Sequence, residues 1–258
     1  MVLQSNPRLI GSGVITYSIR QNSQPENDTE STGNTITVSI VETACSAEGL
    51  ALTTWSSAFI LSNLLHRIQV NLKSNNASYN VLELGAGTGL SGISAAALWG
   101  ASTMLTDLPT IVPGLEENAS LNRNFVAQNG GKIGCGTLDW KTPNALEINN
   151  PGLGSTKIDN PKFPVILAAD TMYTDEHPLL LSQTILQCLE KTRDAKAIVV
   201  YAMRIAYIEE IKVFWELMEE GGLVAVQDGR EEANLEEWDD EKLHEWSIWQ
   251  WKPELLTQ

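Results

Sequence analysis

Apolar and polar positions along this chain follow two periods. Short apolar runs rich in branched side chains lie at 81–84, 101–106, 132–138, 164–169 and 196–201, and each reads as a buried strand. Gly222 to Gln227 reads as a sixth, and Trp246 to Trp251 alternates like a half-buried strand that ends the series. Between these runs, Ser91–Trp99, Ile111–Asn124, His177–Leu189 and Ile208–Glu220 recur at helical spacing. Strands alternating with helices describe an α/β protein built on a parallel sheet. Upstream, Leu9–Arg20 and Asn34–Thr43 carry period-two patterning and predict a β-hairpin outside the main sheet, joined by a polar, mobile loop over Gln21–Gly33. Leu52-Thr53-Thr54-Trp55 opens a further helix, capped by Thr53 or Thr54, with Trp55, Phe59, Ile60, Leu64, Leu65 and Ile68 on one stripe. Lys141–Lys162, rich in Pro, Asn and Gly and without periodicity, reads as a long surface loop. Asp228–Glu241 is acidic and reads as a solvated loop or helix. Neither an internal repeat nor a linker is visible, so residues 1–258 read as a single domain, with 1–45 a hairpin extension and 46–258 the core.

The first strand of the core runs into Gly85-Ala86-Gly87-Thr88-Gly89-Leu90. Alternating glycines are entropically costly and are kept where the backbone turns sharply beside a ligand. Strand, glycine turn and helix form the first unit of an open α/β sheet, whose ligands sit at the carboxyl ends of the strands. Two cofactor classes compete for this turn. Gly87-Thr88-Gly89-Leu90-Ser91-Gly92 has the G-x-G-x-x-G spacing of a dinucleotide site, with Asp107 placed for a ribose. That motif needs its first glycine directly after the strand; here that residue is Gly85, and the frame Gly85, Gly87, Leu90 breaks the pattern. Glu83 at the strand end followed by Gly-x-Gly-x-Gly instead resembles motif I of the class I S-adenosylmethionine-dependent methyltransferases.

Each following strand ends in residues with chemistry. Asp107 is an acceptor suited to both hydroxyls of a ribose, or else an N-cap for the next helix. Asp139 and Trp140 offer adenine an acceptor and an apolar wall. Ala168 and Ala169 are small enough for a ligand to approach, and Asp170 and Tyr173 reach one point from one turn. His177, at a helix start beside Asp175 and Glu176, reads as structural and is left outside the site. Trp55 has two readings: core by periodicity, or a ring standing against a cofactor from the first turn of its helix.

Composition narrows the partners. Hydrophobic residues are 43% and charged residues 19%, ordinary for a globular chain. No apolar run approaches the roughly 20 residues of a membrane span, and the N-terminus lacks a secretory h-region, so a cytoplasmic protein is expected, with the nucleus as the alternative. Cys45, Cys135 and Cys188 are widely separated and suggest burial rather than disulfides or a metal site. A net charge of -15 repels phosphate backbones, which argues against nucleic acid; it would attract a basic protein surface or a small cationic amine, but it is first of all a route to solubility.

In one order, Val81–Leu90, Thr106-Asp107-Leu108-Pro109, Leu138-Asp139-Trp140 and Leu167-Ala168-Ala169-Asp170-Thr171-Met172-Tyr173 resemble methyltransferase family 16, the seven-strand protein-lysine methyltransferases, from about Val38 to the end. Asp170 to Tyr173 looks like that family's Asp-x-x-Tyr signature, and Trp55 like its cofactor-contacting tryptophan. Tyr201-Ala202-Met203-Arg204 followed by Phe214 is similar to its segment after the fifth strand. The resemblance implies a Rossmann-like class I methyltransferase fold: a seven-stranded, mostly parallel sheet with the seventh strand antiparallel and helices on both faces. It implies S-adenosylmethionine as donor, S-adenosylhomocysteine as product, and a protein lysine as acceptor, with no metal and a monomeric enzyme. It assigns Asp170 and Tyr173 to the acceptor amine, and Trp55, Glu83, Gly85, Gly87, Asp107, Leu108, Asp139, Trp140 and Ala169 to the cofactor. The Thr-Trp-Ser-Ser start looks closest to fungal members that modify translation elongation factors, although Ser56 and Ser57 stand where many members carry an acid. A methyltransferase for a small amine or other metabolite, a cofactor-binding adaptor without turnover, and a nicotinamide-dependent oxidoreductase are the competing readings.

Overall fold

The computed structural model describes residues 9–11, 13–21, 35–47, 49–73, 78–150, 154–234 and 241–256. In chain order these form β1 (Leu9–Gly11), β2 (Val14–Arg20), β3 (Thr35–Val41), β4 (Ser46–Ala47), β5 (Leu50–Ala51), α1 (Ser56–Leu64), β6 (Val81–Leu84), α2 (Leu90–Trp99), β7 (Ser102–Asp107), α3 (Val112–Gln128) and β8 (Lys132–Thr137). There follow β9 (Ala145–Asn150), β10 (Gly154–Asp159), β11 (Val165–Ala169), α4 (His177–Cys188), β12 (Lys196–Ala202), α5 (Ile208–Glu220), β13 (Leu223–Glu232) and β14 (Leu243–Trp251).

The main sheet has nine strands in the order β10-β9-β8-β7-β6-β11-β12-β14-β13. β8, β7, β6, β11 and β12 are mutually parallel, and β14 runs antiparallel to both β12 and β13. The central strands read as continuous apolar runs because both faces are covered. Leu82, Leu84, Ile166, Val199 and Trp249 pack under α4 and α5, whereas Val81, Leu105, Val165, Leu167, Ile198 and Ile248 pack under α1, α2 and α3.

The sheet is therefore wider than the seven strands expected, and the physical reason lies in 141–162. This segment is not a loop: β9 and β10 form a hairpin, and β9 pairs antiparallel with β8 through Gly136↔Ile148 and Thr137↔Glu147. Leu146 and Ile148 bury their side chains in the core while β10 is exposed along its length. A two-residue apolar alternation among prolines and asparagines was too short to outweigh the turn signals around it. The acidic stretch from 228 also differs from expectation, since β13 continues to Glu232 opposite Leu243 and buries Glu231 in an ion pair with Arg67 at 2.8 Å. The remainder of that stretch, 235–240, and the expected mobile loop over 22–33 lie outside the described residues.

The helix expected from Thr53 starts later, at Ser56, with Trp55 as its N-cap and no side-chain cap. Both threonines are engaged elsewhere. Thr53 Oγ1 and Thr54 N donate to Glu42 Oε1 at 2.9 and 2.8 Å, and the Thr54 and Thr88 hydroxyls meet at 2.9 Å. Two cysteines behave as small core residues: Cys135 and Cys188 are buried, and burial pushes each thiol up to about 12.

β1, β2 and β3 form a separate antiparallel sheet, as the patterning of the hairpin predicts. Tyr17, Ile19, Val38 and Ile40 join the core beneath α1 to α3. Two asparagines of α3 fix its edge. Asn122 accepts from Ser39 N at 3.0 Å and donates to Ser39 O at 2.7 Å. Asn118 accepts from Val41 N at 2.7 Å and donates at 3.1 Å to both Val41 O and Thr88 O. One buried amide thus ties the hairpin to the glycine turn. Replacing Asn118 by Ala strands three backbone groups, and each neutral hydrogen bond lost on one side costs on the order of 1 kcal/mol. The expected result is a loss of about 2–3 kcal/mol and a fall in Tm of roughly 4–12 °C, measured by calorimetry; an unchanged Tm contradicts this linkage.

Candidate functional site

Parallel register brings the ends of four strands to one edge. Leu84 stands level with Thr106 and Ala168, and Asp107 with Thr137, so the residues that follow each strand converge there. The backbone turns at Gly85 and Gly87 with φ of 59° and 53°, a region that favours glycine. A Cβ added at Gly85 would stand 3.0 Å from Thr171 Cγ2 and 3.2 Å from Trp140 Cζ2, so the loops after β6, β8 and β11 touch. A Cβ at Gly87 would meet nothing within 4 Å; this backbone borders open space.

That space is a cleft whose lining includes Trp55, Gly85, Gly87, Asp107, Leu108, Asp139, Trp140, Ala169, Asp170 and Tyr173. Ten of the eleven residues named from the sequence therefore share one cavity. Glu83 does not line it. Its side chain, 2% exposed, lies beneath the turn, where Oε2 accepts from Gly92 N at 3.0 Å. Burial pushes its carboxyl up to about 8, while the hydrogen bonds from Gly92 and Ser91 pull the other way and the charge of Asp107 adds to the rise. Glu83 fastens the start of α2 to the strand.

Asp107 accepts from Gly87 N at 2.8 Å and from Leu108 N at 2.7 Å, one bond to each carboxylate oxygen. A carboxylate has about four acceptor positions, so the same side chain keeps capacity for a ligand. It is not the cap of α3, whose N-cap is Ile111. Asp139 Oδ1 accepts from Lys141 N at 2.9 Å, which turns the chain so that the Trp140 ring lines the cleft.

At the other end Asp170 takes a φ of 56°, unusual for a residue with a side chain, and its N donates to Val200 O at 2.9 Å. Its carboxylate receives two hydrogen bonds from Arg204, Nη1 to Oδ1 at 2.7 Å and Nη2 to Oδ2 at 2.8 Å. The Arg204 guanidinium also lies 5.6 Å from the centre of the Trp55 ring, within cation–π range. Neither contact is legible from periodicity; the only signal for Arg204 was its place in the segment after the fifth strand.

His177, read as structural, lines the cleft. Its Nδ1 accepts from Tyr173 N at 3.3 Å, and its ring makes edge contacts with Tyr173 at 4.3 Å and Trp140 at 5.7 Å. Asp175 and Glu176, which made it look ordinary, are exposed, and Glu176 pairs with Lys141 at 3.5 Å. Leu52, Thr53, Ile111, Leu138, Lys141, Thr171 and Leu180 also line the cavity without having been assigned to the site. Among them Thr171 carries a buried Oγ1 with no hydrogen-bond partner among the described residues.

The nine-stranded sheet is mixed rather than mostly parallel, with four parallel and four antiparallel pairings, but its five parallel central strands, with a glycine turn after the first core strand and acids at the ends of the next two, are those of the class I methyltransferase fold. The solved glycopeptide N-methyltransferase MtfA shares it, with a TM-score of 0.50 at 10% identity over 77% of this chain and 91% of that one. Within that class, the lysine methyltransferase family matches residues 34–221, and this chain belongs to it. Protein-lysine N-methyltransferase rrg1 of Schizosaccharomyces pombe is 34% identical over 74% of this chain and 59% of its own length. Protein-lysine N-methyltransferase EFM2 of Saccharomyces cerevisiae is 32% identical over 76% of this chain and 47% of its own. EEF1A lysine methyltransferase 3 of Xenopus tropicalis is 32% identical over 52% and 50%. The chain thus spans about half the length of the curated relatives it matches.

The buried Glu83 makes stability depend on pH. An acid whose folded value is raised stabilises the fold most below its unfolded value, and that contribution is lost as pH rises from about 4.5 through about 8. Glu83→Gln keeps the shape without the ionisation, so the Tm of the variant minus that of the natural protein is expected to grow from pH 5 to pH 8. A difference independent of pH in thermal melts contradicts burial of an ionisable group here.

Proposed function

We propose that this chain is an S-adenosylmethionine-dependent protein-lysine N-methyltransferase whose acceptor is a translation elongation factor. The observation that carries the reading is the single cleft in which a glycine turn with open space at Gly87, Asp107, and the pair Asp170 and Tyr173 stand together. Family membership and the names of the protein-lysine methyltransferase relatives support the lysine acceptor; the elongation-factor acceptor rests on the relative named EEF1A lysine methyltransferase 3.

The residues present fit the cofactor. Gly87 leaves room at the turn for its amino-acid end beside Gly85, Asp107 would offer acceptors to the ribose hydroxyls, and Asp139 and Trp140 would frame the adenine beside Leu108. Bound there, the sulfonium supplies an electrophilic methyl carbon. The chain's own task is to hold a neutral amine in line with that carbon and exclude water, and positioning of this kind supplies on the order of 7–11 kcal/mol. Asp170 accepts a hydrogen bond from the amine and Tyr173 orients it, with Ala169 leaving room beside them.

The mouth of the cleft suits a protein. Trp55, which lines the cleft, is 36% exposed. The net charge of -15 attracts a basic, lysine-bearing surface.

Two measurements test this. Purified protein should bind S-adenosylhomocysteine and not NAD, and Asp107→Ala should weaken that binding roughly 10- to 100-fold, the range for hydrogen bonds to a charged acceptor. With labelled S-adenosylmethionine and a lysate from cells lacking this chain, label should appear on lysine of an elongation factor. Binding of NAD alone, or label confined to small molecules, rejects the proposal.

A further inference from the structure

We infer that Arg204 is a positioning residue for the acceptor: it aims the Asp170 carboxylate and offsets its charge, so that the incoming lysine meets a hydrogen-bond acceptor instead of an ion-pair partner. The inference rests on the lysine-methyltransferase reading above and adds to it a residue for which nothing else assigns a role.

The geometry carries it. The two hydrogen bonds at 2.7 and 2.8 Å run in parallel from a planar guanidinium, a fork that fixes the carboxylate plane as well as its position. Each carboxylate oxygen spends one acceptor position on Arg204 and keeps another. Both partners are sheltered, with Asp170 at 6% and Arg204 at 21% side-chain exposure, so solvent screens the pair only in part. The guanidinium is held on its other side by the Trp55 ring. Its backbone is fixed at the end of β12, where Arg204 N donates to Ala202 O and Tyr207 N donates to Arg204 O, each at 2.9 Å.

The chemistry gives this pair a purpose. Methyl transfer needs the nitrogen lone pair: the new N–C bond forms as the C–S bond breaks, with its electrons staying on sulfur. The ammonium must therefore lose a proton to solvent first. A sheltered carboxylate alone would stabilise the ammonium, and an opposite charge at contact distance raises a lysine pKa by about 1–3 units. Each unit removes about nine-tenths of the free amine at neutral pH. With Arg204 in place the carboxylate is compensated, and a cation stands nearby that disfavours a second one. The other ionisable groups facing this cleft are Asp107, Asp139, Lys141, Tyr173 and His177; Asp107 and Asp139 belong to the ends of β7 and β8 and already accept from backbone N–H groups. Glu42 is engaged by Thr53 and Thr54.

The test compares the natural protein with Arg204→Gln and Arg204→Lys. Initial rates of lysine labelling are followed from pH 6 to pH 10 in lysate from cells lacking this chain, at several lysate dilutions. Binding of n-butylamine to the S-adenosylhomocysteine complex is followed by calorimetry over the same range. For Arg204→Gln the acid limb of the rate should move up by about one pH unit, with a fall in rate at pH 7 of about tenfold, while n-butylamine binds about tenfold more tightly at pH 7. Arg204→Lys, which keeps the charge and loses the fork, should leave the limb near its natural position at a reduced maximal rate. Profiles displaced downward in parallel, with amine binding unchanged, reduce Arg204 to a structural residue and overturn the inference. A natural protein that labels no lysine at any pH rejects the proposed function itself, and the inference falls with it.

Discussion

The glycine turn is held open by groups that arrive from four directions, and the cleft exists because they do. From beneath, Glu83 takes the Gly92 N–H; from the next strand, Asp107 takes the Gly87 N–H; from the segment before α1, Thr54 meets Thr88; from α3, Asn118 takes the Thr88 carbonyl. A turn with φ near 59° and 53° at Gly85 and Gly87 is loose in an isolated chain, since glycine has the most freedom to lose. Here that freedom is removed by buried hydrogen bonds whose loss would strand polar groups away from water. The rigid backbone that results borders open space at Gly87, and rigidity at the edge of a space is what close binding of a ligand requires.

The same turn explains why the N-terminal sheet belongs to the site although it contributes no strand to the main sheet. β3 is stitched to α3 by Asn118 and Asn122, and Glu42, one residue past β3, holds Thr53 and Thr54 just before Trp55. The hairpin therefore sets the position of the aromatic ring at the mouth of the cleft. The physical chain runs from a period-two pattern in the sequence, through an asparagine ladder, to the placement of one side chain over another.

What could be read from the sequence follows from how local each signal is. Strand, glycine turn and helix are contiguous, so the frame that starts at Gly85 was sufficient, and Asp107, Asp139 and Asp170 each lie at the end of their strand or within two residues of it. Parallel register then brings them together without further information. The misses depend on partners distant in the chain. β9 is a strand because β8 offers it an edge and Leu146 and Ile148 reach a core; the surrounding turn residues gave no hint of that. Thr53 and Thr54 looked like caps because Glu42 and Thr88 are invisible to a local rule. Glu83 was expected at the cofactor because it neighbours the turn, yet a strand alternates its faces, and this residue points under α2. His177 was passed over because a lone histidine at a helix start beside Asp175 and Glu176 reads as structural, while its ring turns inward between Trp140 and Tyr173.

The two ends of the cleft are built on different principles. The glycine-turn end is held by backbone groups and buried side chains, and altering one disturbs the turn itself. The other end is held by side chains that cross between loops: Arg204 to Asp170, Arg204 to Trp55, His177 to Tyr173. Asp170 sits at a φ of 56°, a conformation costing on the order of 1 kcal/mol for a residue with a Cβ, and the bond from its N to Val200 O together with the paired guanidinium offsets that cost. Trp55 and Ile205 lie at the surface, where substitutions leave the core intact. The glycine-turn end of the cleft is thus fixed by the buried half of the molecule, and its other end by a paired carboxylate and guanidinium beside an exposed aromatic ring.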